Sequence, residues 1–331
     1  MKRILLKLLP RLYLFITKKK EELELVYKEY LELKEQNQCI ISLYKYIVNW
    51  YIYGCLPTEY NSLGFQNLNK NGKNTFITYK RNIKFQKSTN PISIDILCSK
   101  NKFNDYFSDF IKRKWIYITK DTTDEQINSF YNSLQEKKFI IKPNNLWYGL
   151  GIKIGHTIEE LYDLKNEGIL VEEIVKNHES ISILNPTSLN TIRVVTVVDS
   201  SNIPHIVSTT LRTGNKGAVI DNAYGGGTFY HIDEKIGVID APGKDTLCNS
   251  YIIHPSCNIV MPGYKIPNFN DVKQYCLELA LKLPGVRYVG WDIAITIDGI
   301  EVIEGNRFPS ATLIQSNDIG LYDVVKEYLS K

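Results

Sequence analysis

Strand-period and helix-period segments alternate along this 331-residue chain without a repeat at any fixed spacing, which predicts an α+β (mixed α/β) architecture. Two features carry that prediction. Strand segments after residue 90 are interspersed with helical ones. The run from Gly290 to Asn306 reads as a late β-hairpin, because Ile293, Ile295 and Ile297 alternate with smaller or polar residues and Asp298-Gly299 is a turn signal.

Residues 18–53 are helical: Leu23, Leu25, Val26, Tyr30, Leu31 and Leu33, then Ile40, Leu43, Tyr44 and Ile47, recur at three-to-four spacing amid charges. Pro57 and the stretch 61–64 break the pattern. Residues 65–87 are expected to be irregular, with a turn at Asn71-Gly72. A short strand is expected at 92–98, a helix at 102–114 with Phe103, Tyr106, Phe107 and Phe110 on one face, and a strand at 115–118. Residues 121–137 form a helix on Ile127, Phe130, Tyr131 and Leu134. A buried strand at 138–142 ends at Pro143, a loop spans 144–151, and a strand follows at 152–154. The helix at 157–165 places Glu159 and Glu160 in its first turn, as the helix dipole favours. Strands are expected at 170–175, 180–184, 191–198, 203–211 and 228–232, then helices at 270–283 and 321–329.

An apolar fraction of 44% describes an ordinary globular protein. The net charge of +4, with Lys and Arg scattered among acids, argues against a nucleic-acid partner. Six widely spaced cysteines without a CxxC pair read as reduced thiols of a cytosolic protein. The five histidines show no zinc-ligand spacing. Residues 1–20 are too broken by Lys7, Pro10 and Arg11 for a signal peptide or span. They read either as an interfacial helix touching anionic lipid or as a surface packed on the protein body or a second subunit. The expected location is cytoplasmic, at most peripheral to the inner face of the membrane. Oligomeric state is open.

The hairpin carries three oxygen ligands, Asp292, Glu304 and Asn306. A two-residue turn would put Asp292 and Glu304 on opposite faces. A three-residue loop, 297–299 with Gly299 left-handed, sets them opposite each other with Asn306 on the same face, and is the favoured register. Taken alone, acids near a hairpin end usually sit in solvent. Here Trp291, Ile293, Val302 and Ile303 mark central strands, where an unpaired carboxylate couple is costly and a hard cation such as Mg²⁺ resolves the conflict. Lys142 ends a buried strand before a loop containing Gly149 and Gly151, where backbone N–H groups can approach phosphate. Further on, Leu170-Val171-Glu172-Glu173-Ile174-Val175 precedes Glu179. Arg193 and Arg212 suit phosphate or carboxylate. Asp221-Asn222 before Gly225-Gly226-Gly227 suggests close backbone approach to a ligand.

The order of these pieces resembles the ATP-grasp superfamily. The runs 188–193, 221–227 and 290–292 resemble its sugar-transfer-associated branch, over roughly residues 95–320. That resemblance implies an ATP-grasp fold with two α+β subdomains clamping ATP: a helical N-terminal region at 1–90, linker and lid at 91–169, and a metal-bearing subdomain at 170–331. It implies that Lys142 and Lys102 hold the ATP phosphates, with Lys100 as the alternative to Lys102. Tyr148, Gly149 and Gly151 would close over the phosphates. Glu172 would lie at the adenine edge, Glu173 and Val175 would offer backbone groups, and Glu179 would reach the ribose. Asp292, Glu304 and Asn306 would bind one or two Mg²⁺, with Mn²⁺ able to substitute. Arg193 and Arg212 would join Lys142 as catalytic cations; Asn190, Asp221, Asn222, Gly226 and Arg307 would meet substrate. Many ATP-grasp ligases carry an Arg just before the first metal Asp; here Gly290-Trp291 stand there, which leaves the oxyanion partner among Arg193, Arg212 and Arg307. The implied activity is a carboxylate–amine ligase working through an acyl phosphate, with small-molecule carboxylate and amine partners, in cell-surface polysaccharide assembly. A kinase acting on a sugar or alcohol hydroxyl is the alternative.

Overall fold

The computed structural model describes residues 20–89, 94–144, 146, 150–215, 217, 221, 226–247 and 249–330. It opens with helices Lys20–Glu35, Leu43–Tyr53, Pro57–Ser62, Lys70–Thr75 and Tyr79–Thr89. They enclose their own core of Val26, Leu33, Tyr46, Trp50, Tyr60, Phe65 and Phe76. Gly54, at φ +67, ends the second helix by donating to Trp50 O, a turn of backbone that favours glycine. Residues 65–87 are therefore more helical than expected. Asn71-Gly72 is no turn: Asn69 caps the helix by accepting from Gly72 N at 2.9 Å, so the capping geometry overrides the dipeptide signal.

The expected strand at 92–98 is, over its described part, the helix Ile94–Cys98. Leu97 turns onto the hairpin, where Gly305 leaves room for it. Helix Lys100–Tyr106 follows. Four strands then form one antiparallel sheet: β1 (Trp115–Ile118), β2 (Phe139–Pro143), β3 (Lys153–Gly155) and β4 (Ile169–Glu173), in the order β1-β4-β2-β3. Helices Asp124–Ser133 and Ile158–Asp163 cover it, burying Ile118, Ile127, Phe130, Phe139, Leu161 and Val171. The expected division at 169/170 falls at the start of β4, so this sheet reaches to Glu173.

The strand expected at 180–184 is instead the helix Glu179–Ser182 followed by a turn at 183–184. Ile181 and Leu184 are buried while Ile183 is exposed, a three-residue spacing that suits a helical turn rather than alternation. Seven strands make the second sheet: β5 (Thr191–Val198), β6 (Pro204–Thr213), β7 (Thr228–His231), β8 (Gly243–Lys244), β9 (Ser250–Tyr251), β10 (Tyr288–Thr296) and β11 (Gly299–Asn306). Their order is β11-β10-β5-β6-β7-β8-β9. Every residue of β5 and β10 is buried. Ile192 and Val194 pack with helix Phe269–Lys282, whereas Val195 and Val197 join Val325 of helix Tyr322–Ser330, so both faces are covered.

Asp292 faces Glu304, but not through the expected loop. The turn pairs Thr296 with Gly299, and the extra residue is Ile303, bulged between Ile293↔Val302 and Asp292↔Glu304. Cys39, Cys55, Cys98, Cys257 and Cys276 are free thiols; Cys248 lies outside the described residues. Among the described residues no helix is long and apolar enough to cross a membrane.

Candidate functional site

Strand pairing gathers five polar side chains on one face of the large sheet. Asp292 lies across from Arg193 on one side and Glu304 on the other, and Gly290 brings Asn306 into the same row. Arg212, opposite Thr191, reaches the same face from β6. Arg193 binds Asp292 through both Nε and Nη2, the latter at 2.9 Å, and Arg212 Nη1 donates to Asp292 Oδ2 at 2.6 Å. Arg212 Nη2 also donates to Asp221 Oδ1 at 3.1 Å, and Thr191 Oγ1 donates to Asp221 Oδ2. Asn306 Nδ2 lies 3.3 Å from both Asp292 Oδ2 and Glu304 Oε1.

The electrostatics of the row are uneven. Burial pushes the Asp292 carboxyl up, but Arg193 and Arg212 outweigh it and hold the group well below the usual carboxylate range. Glu304 goes the other way, raised by burial and by the Asp292 charge. Asp221 is raised by burial against the pull of Arg212. Two facing carboxylates with one of them pushed towards protonation form an arrangement that a divalent cation relieves. A half-turn of the Asn306 amide exchanges Nδ2 for Oδ1 and completes three oxygen donors, a set that fits Mg²⁺. Among the described residues, no group of three or more His, Cys, Asp and Glu gathers as a metal cluster.

A second charged group lies on the small sheet. Lys142 on β2 pairs with Glu172 on β4, whose carboxylate is 1% exposed. Glu172 Oε1 also accepts from Asn104 Nδ2 at 2.7 Å and lies 2.8 Å from Arg113 Nη2. Burial opposes its charge, yet Arg113 and Lys142 hold its carboxyl far down. The side chain expected at the adenine edge is thus an ion-pair partner of Lys142. Of the two candidate lysines near residue 100, Lys102 is turned to the surface, 2.5 Å from Asp95. Lys100 faces inward instead, donating to Pro143 O at 3.1 Å and Leu146 O at 2.6 Å; burial, with the Lys142 charge, lowers its ammonium against the opposing pull of Glu304 and Glu172. Two positions apart on the helix Lys100–Tyr106, the two side chains leave on roughly opposite sides, which is why one faces in and the other out.

Other expected positions divide. Glu173 is held by Lys114, its N–H donating to Lys114 O at 2.8 Å. Val175 is half-buried just past β4, and Glu179 is exposed at the start of a short helix. Gly151 has φ +74, and a Cβ there would meet Pro143 Cγ at 2.8 Å, so the loop requires glycine. Gly226 is exposed at φ +86. Arg307 follows the row, its charge felt at Cys98. Tyr148, Gly149 and Asn222 lie outside the described residues. Asn190 holds a loop together. Its Nδ2 donates to Ile181 O and Asn185 O, both at 3.0 Å, and its Oδ1 accepts from Ser188 Oγ at 2.9 Å and Gly214 N at 3.2 Å, which fills the capacity of the amide. Sequence reasoning missed Arg113, Asn104 and Glu301. Arg113 stands in a basic triplet, 112–114, that reads as a solvated face; only the tertiary register brings it to its acids.

Residues 80–328 match the family described as sugar-transfer associated ATP-grasp. No curated protein matches the chain. Similar solved structures include an ATP-grasp superfamily protein from Archaeoglobus fulgidus, 14% identical with TM-score 0.42 over 72% of this chain and 55% of that one. The N5-carboxyaminoimidazole synthetase from Staphylococcus aureus, complexed with ADP, is 11% identical with TM-score 0.47 over 72% and 52%. The D-alanine–D-alanine ligase from Bacillus anthracis is 15% identical with TM-score 0.45 over 75% and 74%. The chain therefore spans little more than half the length of the first two.

Proposed function

Since this chain belongs to the sugar-transfer associated ATP-grasp family, we propose that it is an ATP-dependent carboxylate–amine ligase. The observation that supports this most is the shared face of Asp292, Glu304 and Asn306, backed by Arg193 and Arg212. In this reading those three side chains hold one or two Mg²⁺, with Mn²⁺ able to substitute, and the cation supplies charge neutralisation at the phosphates. Lys142 and Lys100 bring positive charge to the phosphate oxygens. The loop through Tyr148, Gly149 and Gly151 covers them, while the backbone at Glu173 to Val175 borders the adenine and Glu179 the ribose.

A substrate carboxylate oxygen attacks the γ-phosphorus, the bond from phosphorus to the bridging oxygen breaks, and ADP leaves. An uncharged amine then attacks the acyl carbon and expels phosphate, giving the amide, and the proton lost from nitrogen leaves with the phosphate as HPO4²⁻. In this reading Arg193 and Arg212, which pair with Asp292, neutralise the negative charge that builds on that carboxyl group, the part an Arg just before Asp292 would otherwise take. Asp221, Asn222, Gly226 and Arg307 border the acceptor side. Such chemistry needs positioning and charge more than a covalent nucleophile. The family's association with sugar transfer favours a sugar acid or amino acid, joined during cell-surface polysaccharide assembly on the cytoplasmic side of the membrane.

The test is a screen of sugar-acid and amine pairs with γ-labelled ATP. The ligase reading expects labelled phosphate and ADP only when both acceptors are present. Label retained on a single hydroxyl-bearing product would replace it with the kinase reading.

A further inference from the structure

The bulge at Ile303 sets Glu304 opposite Asp292. A bulge also leaves main-chain carbonyls without their ladder partners, and buried ones need another donor. One guanidinium answers both carbonyls flanking it. Arg113 Nη1 donates to Val302 O at 2.7 Å and Nη2 donates to Ile303 O at 3.2 Å. The same Nη1 and the Arg113 backbone N–H reach Glu301 Oε1 at 2.9 and 3.0 Å. On its other side Nη2 meets Glu172 Oε1 at 2.8 Å, and Glu172 in turn holds Lys142.

Arg113 precedes β1 and belongs to neither ladder, yet its side chain is 2% exposed and touches both sheets. Two cations and two carboxylates (Arg113, Lys142, Glu172, Glu301) make the buried cluster neutral. Burial opposes the guanidinium charge, and Glu172 with Glu301 more than restores it. A group that only filled space here would be apolar, because burying an ion pair seldom stabilises more than well-packed hydrocarbon.

We infer that Arg113 is a positioning residue that pins the Ile303 bulge, and hence Glu304, to the Glu172–Lys142 pair, so that cation ligands on one sheet and a phosphate ligand on the other keep one register. The inference rests on the nucleotide and cation site proposed above. It demands that Arg113 govern the coupling between metal and nucleotide, beyond any contribution to folding.

ADP binding to the full chain is measured by calorimetry with and without Mn²⁺, for the unsubstituted protein, Arg113→Lys and Arg113→Met, with thermal unfolding of each recorded alongside. Mn²⁺ is expected to tighten ADP in the unsubstituted protein by at least about tenfold. Arg113→Lys keeps a charge but cannot serve two carbonyls and two carboxylates at once. It should hold metal-free ADP within about threefold of the parent yet lose most of the Mn²⁺ gain. Arg113→Met should lose all of it. Should that variant fail to fold, Glu301→Gln, which weakens only the hairpin side, carries the same expectation at smaller size. An undiminished Mn²⁺ gain in folded Arg113→Lys and Glu301→Gln overturns the inference and leaves the nucleotide site standing. Absence of any Mn²⁺ gain in the unsubstituted protein overturns both.

Discussion

Glu172 in the small sheet and Asp292 in the large sheet are both buried acids held between two cations, Arg113 and Lys142 for the first, Arg193 and Arg212 for the second. Their neighbours differ. Glu172 is surrounded by donors, Asn104 among them, inside a neutral cluster. Asp292 has a second carboxylate facing it, Glu304, which burial and that charge raise towards protonation. The first arrangement sets one carboxylate against cations and an amide and leaves Lys142 at its more open edge. The second sets two carboxylates face to face and, with Asp221 beside Arg212, counts three acids against two arginines, as a cation site can. Equal burial and equal cation count therefore do not mean equal function; the unbalanced acid distinguishes them.

The largest effect expected from breaking the contrast is catalytic. Glu304→Ala should cut ATP turnover by roughly 10²–10³-fold, read as ADP release, because it removes a ligand present only for the charged phosphates. Its melting temperature should stay level or rise, since a like-charge repulsion disappears. Glu172→Ala should do the reverse in stability. It strands Arg113 and Lys142 in a buried setting and should lose about 3–5 kcal/mol in urea unfolding.

A smaller effect concerns pH. Glu304 is raised in the folded state, so its contribution to stability is full below its unfolded value and is lost as pH rises through its folded one. Metal-free protein should therefore lose stability on that rise, and added Mg²⁺ should restore it; Glu304→Gln should flatten both responses in thermal melts. Asp292 runs opposite, its contribution present above the unfolded value and lost only as pH falls through its depressed folded one. The smallest change is Lys102→Ala, which removes an exposed pair with Asp95 worth about 0–1 kcal/mol. It should leave ADP affinity unaltered, whereas Lys100→Ala should weaken it in the same titration.

The central strands were legible in the sequence because the runs at 191–198 and 288–296 are rich in β-branched and aromatic residues, and both are buried along their whole length. The facing of Asp292 and Glu304 followed from the need to put both acids on one side of a hairpin. Where the extra residue sits did not follow: Gly299 offered a turn, whereas the bulge is at Ile303, where Arg113 donates to the carbonyls of Val302 and Ile303, a contact distant in sequence. The error at 180–184 has a local cause, since five residues carry too short a pattern to separate strand from helix. Lys100 and Lys102 are two positions apart on one helix, so which of them points inward is settled only by what packs beneath.

The account depends on a divalent cation held by Asp292, Glu304 and Asn306 beside a nucleotide. Mn²⁺ titration of the ADP-saturated protein, followed by electron paramagnetic resonance, tests this most directly against Glu304→Ala. The account predicts one or two bound ions in the unsubstituted chain and a weakening of at least about tenfold in the folded variant. Equal Mn²⁺ affinity in the two proteins would contradict it.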